Sequence, residues 1–138
     1  IDIGSIAGTT AGTDYDQVRV TGSGSVTLGG TSALTVNYTG APGTFNPATG
    51  AIYRIIDSTG ATTSGTFAGL PAGSIITVDG RGMQISYTGG DGNDVVLVAQ
   101  APVHLGRVVE VLVLQPFRLV LGEFSQEVPS NRGLIEDQ

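Results

Sequence analysis

The residues best placed to do chemistry in this sequence are oxygen donors gathered in one Gly-rich stretch. Gly89-Gly90-Asp91-Gly92-Asn93-Asp94-Val95-Val96-Leu97 fits the calcium nonapeptide G-G-x-G-x-D-x-U-x, in which carboxylates and backbone carbonyls act as hard ligands between successive turns of a β-roll. Asp91, Asn93 and Asp94 are the candidate ligands. The pattern occurs once, so it supplies about half a coordination shell. The same residues also make a plain reverse turn, because Gly tolerates positive φ and Asp and Asn side chains bond nearby amides. The turn is the preferred reading, calcium the alternative, and no other cofactor is expected.

Asp14 and Asp16 flank Tyr15, and paired carboxylates invite a glycosidase reading. On a strand they would share a face about 7 Å apart. Catalysis would also need a pocket that raises the pKa of one of them, and the sequence contains no Trp to serve as a sugar platform. A solvated strand start is the better account. His104 is the single His and Cys is absent, which leaves no zinc set and no convincing triad. Tyr15, Tyr38, Tyr53 and Tyr87 are spaced like packing residues of strands. None of the Gly-rich stretches is followed by a Lys, so no phosphate loop qualifies. No enzymatic activity is expected.

Composition narrows the partners. Charged residues make up 13% of the 138, Lys is absent, and the net charge is −6. Without a basic patch, nucleic acid is excluded as a partner and anionic membranes repel the chain. No apolar run reaches the roughly 20 residues of a membrane helix, so direct membrane insertion is not expected. A surface covered by Thr, Ser and Asn rather than by ion pairs suits an extracellular or cell-surface β protein. The sequence opens at Ile1 with no leader pattern, as a processed chain or a piece of a longer one would.

The elements that must position these groups read as strands. Alternation over Asp14–Val20, Ser25–Leu28 and Ala33–Tyr38, each stopped by Gly, gives strands at about nine-residue spacing, which suits a sandwich and is usable by a solenoid. Ala51–Ile56 is a more continuous apolar run, residues 57–65 a polar loop, and residues 66–73 a plug carrying Phe67 and Leu70. Ser74–Val78 is turned by Asp79-Gly80-Arg81-Gly82 into Met83–Tyr87, whose large side chains alternate with Gln84, Ser86 and Thr88, and the Gly89–Asn93 turn leads into Val95–Val98. No stripe of helical period precedes Gln100. The fold class is all-β.

Texture changes near Gln100. Residues 1–100 hold 19 of the 22 Gly and all 16 Thr but no Glu, whereas residues 101–138 hold all four Glu and no Thr. The expected organisation is an N-terminal arm over 1–12, a Gly/Thr-rich β domain over 13–100 and an apolar tail over 101–138. In that tail Arg107–Leu114 and Phe117–Leu121, parted by Pro116, read as a strand hairpin ending in a polar C-terminus.

Residues 13–98, with TDYDQVRVTGSGSVTLGGTSALTV, GTFAGLPAG and ISYTGGDGNDVVLV, resemble the Gly/Thr-rich β-strand repeats near the carboxyl end of bacterial autotransporter passengers and other large surface proteins. The resemblance implies a short β-solenoid, or β-helix-like, module with no catalytic residues of its own; a β-sandwich is the alternative. The function expected is structural or adhesive at a cell surface. An apolar segment, the tail or the Ile1 arm, would complete a neighbour's sheet and build a homo-oligomer, fibre or array; a tail folded back as the last hairpin of its own domain is the competing expectation. A calcium-stabilised module binding surface glycans is the alternative function.

Overall fold

The computed structural model describes residues 1–6 and 10–103. Residues Ile1–Pro102 form one compact unit; the expected tail hairpin and His104 lie outside the described residues. There are nine strands and no helix among the described residues: β1 (Asp2–Ile3), β2 (Val18–Thr21), β3 (Ser25–Leu28), β4 (Asn37–Tyr38), β5 (Ile52–Thr59), β6 (Thr62–Gly65), β7 (Ile75–Val78), β8 (Arg81–Gly89) and β9 (Asp94–Ala99). The all-β class follows.

The first six strands pair only in parallel with one another. Asp2 lies opposite Asn37, Val18 opposite Ile56 and Ser25 opposite Thr62, so the chain returns to the same three places after 35, 38 and 37 residues. β1, β2 and β3 make a first pass; β4, β5 and β6 make a second. Each pass spreads its strands over three sheets, of which only the middle one is large, in the order β2-β5-β9-β8-β7.

From β5 onward that sheet becomes antiparallel. Tyr53 on β5, Leu97 on β9 and Ile85 on β8 stand side by side in register, and none of the three is exposed to solvent. This row is the centre of the core, and Met83 beside Ala99 extends it. The neighbouring row, Ile52, Val98, Gln84 and Ile75, points the other way, and Ile52 and Ile75 are about half exposed. The alternation predicted for Met83–Tyr87 is therefore one slice of a four-strand pattern.

Three details differ from the sequence expectation. The polar stretch 57–65 is strand, not loop: β5 runs on to Thr59 and β6 begins at Thr62. Its stabilisation comes from backbone pairing with β2 and β3 and from a 2.8 Å hydroxyl contact between Ser58 and Thr63, neither of which leaves an apolar period to read. The run Ala51–Ile56 is not buried on both faces: Ile52 is about half exposed, and only a register irregularity between Arg54 and Ile56 in the β5–β9 ladder turns both Ile55 and Ile56 inward. The expected N-terminal arm belongs to the body, since Ile3 is fully buried and β1 pairs with β4.

Residues 66–73 form the expected plug. Tyr87 Oη accepts from the Phe67 amide at 3.0 Å and donates to the Leu70 carbonyl at 2.6 Å, which fixes Phe67 against the core. The β7–β8 turn is the two-residue loop Asp79-Gly80 with both φ positive, at 47° and 86°, the geometry that matches strand twist in a tight hairpin.

Candidate functional site

The Gly89–Asp94 turn closes the β8–β9 hairpin, with Gly92 N–H donating to the Gly89 carbonyl at 2.8 Å. At its far end Asp94 is buried, 1% exposed. One carboxylate oxygen accepts from the Ser58 amide at 2.8 Å, and the other lies 3.2 Å from Arg54 Nε. Gly90 is required here, because its φ is positive and a Cβ at that position would collide with the Asp94 carboxylate. Asn93 turns its amide nitrogen to the carbonyls of Ser58 and Ala61, and Asp91 is exposed at the tip.

These contacts bear directly on the calcium reading. Asp94 faces a guanidinium, so a cation there would have to displace Arg54. Asn93 spends its donors on the β5–β6 corner, and its Oδ1, buried without a partner, is a single neutral oxygen where calcium takes six to eight. Asp91, Asn93 and Asp94 thus share a turn in which Asp94 is engaged by Arg54 and Ser58, Asn93 by the β5–β6 corner, and Asp91 is exposed. Among the described residues no group of three or more His, Cys, Asp or Glu is arranged to hold a metal ion.

The Arg54–Asp94 contact is part of a longer ladder. Arg19 Nε on β2 lies 3.3 Å from Asp57 on β5, Asp57 lies 3.9 Å from Arg54 Nη1, and Arg54 reaches Asp94 on β9. Alternating charges therefore run across β2, β5 and β9, over the line where parallel pairing gives way to antiparallel. The scattered Arg residues gave no hint of this, because the partners are brought together only by the register of three strands. Arg81 was equally illegible. It is 5% exposed and ties β8 to the Gln100 carbonyl at 2.7 Å, to Asn46 and to Thr49.

Asp14 and Asp16 do not sit on a strand, since β2 begins at Val18. Asp14 accepts from the Thr10 amide and Asp16 from the Asp2 amide, each at 3.0 Å. Asp2 itself accepts from Asn37 Nδ2 at 3.1 Å. Together with Tyr15 they line a shallow cavity of about 260 Å³, but each carboxylate is closing a turn or a strand end. Tyr15 is buried edge-on against Tyr53, with ring centroids 5.4 Å apart, so it packs and presents no platform. Burial pushes the Tyr53 hydroxyl's pKa up, and the nearby Asp14 carboxylate adds to the rise.

A further feature with binding geometry is apolar. The first pass leaves a mouth of about 520 Å³ whose rim includes Ile1, Val18, Val26, Leu28 and Leu34, above Ile56 and Phe67 of the core. Beside it β2 and β3 each have one strand neighbour among the described residues, while β1 is bonded on its second side by Asp14–Asp16, with Gly4 N–H donating to the Asp14 carbonyl and Asp16 N–H to that of Asp2. Sequence reading placed strands here but could not tell that they border one opening. Compared with protein-family models, curated proteins and solved structures, the chain matches none.

Proposed function

We propose that this chain is a non-enzymatic structural or adhesive component of an extracellular or cell-surface protein, built as a short β-solenoid that assembles with further copies by strand addition. The observation that carries the reading is the threefold parallel pairing, with returns after 35, 38 and 37 residues. A sandwich is ordinarily wound from antiparallel neighbours; two passes stacked in parallel at three places suit a solenoid turn, with β7, β8 and β9 as its antiparallel cap. Such a stack has an inherent consequence. Each pass buries its inward side chains against the next, so the pass at an open end leaves apolar surface and backbone donors uncovered.

A non-enzymatic role is supported by the way Asp2, Asp14, Asp16 and Asp94 are each engaged by donors of the fold. A location outside the cell is supported by the low share of charged residues, 13%, and by a surface carried by Thr, Ser and Asn. Electron microscopy and sedimentation of the purified full chain test the reading. Discrete oligomers, filaments or sheets are expected, and dispersed monomers at every concentration would overturn it.

A further inference from the structure

We propose that Asp91 is a site of spontaneous backbone modification, where the chain converts to isoaspartate through a cyclic imide, and that Asp79, in the same Asp-Gly sequence, is protected by the fold. The conversion proceeds whether or not the chain assembles, and it needs no co-reactant but water.

The residue pair fixes the chemistry. The amide nitrogen that follows an Asp attacks that residue's side-chain carboxyl carbon. A C–N bond forms, a C–O bond of the carboxyl breaks, and the hydroxyl leaves as water with the amide proton, closing a succinimide ring. Water then opens the ring at either carbonyl. Opening at the side-chain carbonyl restores Asp, whereas opening at the main-chain carbonyl leaves the peptide running through the side chain, as isoaspartate. A side chain on the following residue crowds the attacking nitrogen, so Gly in that place reacts most readily. Of the eight Asp residues only Asp79 and Asp91 precede Gly; Asp57 precedes Ser58, and Asp94 precedes the β-branched Val95.

The fold separates these two. Both lie exposed in hairpin turns, so solvent access does not distinguish them. The Asp79 carboxylate accepts from the Gly43 and Phe45 amides at 2.8 and 2.9 Å, and attack by the Gly80 nitrogen requires it to leave both donors. The same donors hold it ionised, whereas the protonated carboxyl is the form that gives up water. Asp91 makes no hydrogen bond or ion pair among the described residues. A Cβ built on Gly92 would meet nothing within 4 Å, so the tip is open around the attacking nitrogen. One bond restrains that nitrogen: Gly92 N–H donates to the Gly89 carbonyl at 2.8 Å. It is an uncharged bond at an exposed tip and opens without disturbing the ladder. Two bonds to a charged carboxylate outweigh it. Isoaspartate adds one methylene to the main chain between Gly89 and Asp94, the paired ends of the turn.

The test ages the full chain for weeks at mildly acidic pH, native and in concentrated urea, and then digests it with trypsin. Because Lys is absent, cleavage after Arg54, Arg81 and Arg107 puts Asp79 in the peptide 55–81 and Asp91 in the peptide 82–107. Isoaspartate keeps the mass and shifts the retention time, electron-transfer fragmentation assigns the residue, and unaged protein sets the background. In the native chain isoaspartate is expected to accumulate at Asp91 about tenfold faster than at Asp79, and Asp91→Glu to remove the product from peptide 82–107. In urea, where the bonds to Asp79 are lost, the two rates converge. Comparable native rates at the two positions, or no product above background at Asp91, would overturn the proposal. A tenfold ratio that persists in urea would assign the difference to flanking sequence and overturn the protection of Asp79 by the fold.

Discussion

The antiparallel half and the first parallel pass are built from similar residues but held together differently. β8 and β9 are nine and six residues long, and their inward row meets β5 in register to leave Tyr53, Ile85 and Leu97 without solvent contact. β1, β2 and β3 have two, four and four residues, and most of their side chains are exposed or half-buried. Burial of large apolar groups supplies most of a domain's stability, so it is concentrated in the β5–β9–β8 slab. The first pass is carried by that slab. A strand stack can thus be stable mainly at one end, with the other end held to it by pairing and by fewer buried side chains.

The largest effect expected from this contrast lies at the centre of the slab. Leu97→Ala should destabilise by about 2–5 kcal/mol, read as a loss in urea midpoint with an unchanged slope; Val18→Ala, at a half-exposed position of the first pass, should stay within about 0.5 kcal/mol. Equal losses at the two positions would break the comparison.

A second test addresses the joint between the halves. Asp94→Ala removes the acceptor of the buried Ser58 amide and the partner of Arg54. It should cost about 2–3 kcal/mol, most of it from the unsatisfied amide, because Arg54 is partly exposed and solvent-screened. Native-state hydrogen exchange on this variant should show earlier opening of β2 and β5 than of β8, and uniform exchange across the sheet would contradict the joint.

A smaller, pH-dependent effect belongs to Asp79. Its carboxylate accepts from the Gly43 and Phe45 amides at 2.8 and 2.9 Å, and these bonds hold its pKa below the ordinary carboxylate value. A depressed folded-state pKa contributes stability that is present above the unfolded pKa of about 4 and is lost as pH falls through the folded value. Asp79→Asn should therefore lower stability modestly at neutral pH, where the carboxylate contributed, leave it little changed at low pH, and so flatten the acid limb of the stability curve. A variant with the same acid limb as the parent would remove Asp79 from this role.

The smallest effect is expected from calcium. With Asp94 already engaged by Arg54 and Ser58, millimolar calcium should leave Tm unchanged, whereas a concentration-dependent rise would restore Asp91, Asn93 and Asp94 as a metal site.

How much of this was legible depends on whether the signal is local. Alternation at Met83–Tyr87, a turn beginning at Asp79 and the Gly-rich turn before Val95 were readable, because strand period and turn chemistry act over a few residues, although Arg81 and Gly82, read as turn, belong to β8. The strand at 62–65 was not, since Thr, Thr and Ser gain their stability there from neighbours far along the chain. Nor could Asp94 be divided between turn and metal ligand from spacing alone; its ion partner Arg54 lies forty residues away in sequence.

By itself the sequence determined an all-β body punctuated by Gly, an acidic Lys-free surface and the turn that closes the last hairpin, because each is a property of neighbouring residues or of bulk composition. Tertiary structure alone decided that strands 35 to 38 residues apart lie side by side in parallel, that four scattered charges form one ladder, and that Val18, Val26, Leu28 and Leu34 line one apolar mouth. The physical reason is that pairing register and edge exposure are relations between distant segments, fixed when the chain closes on itself and carried by no single stretch of it.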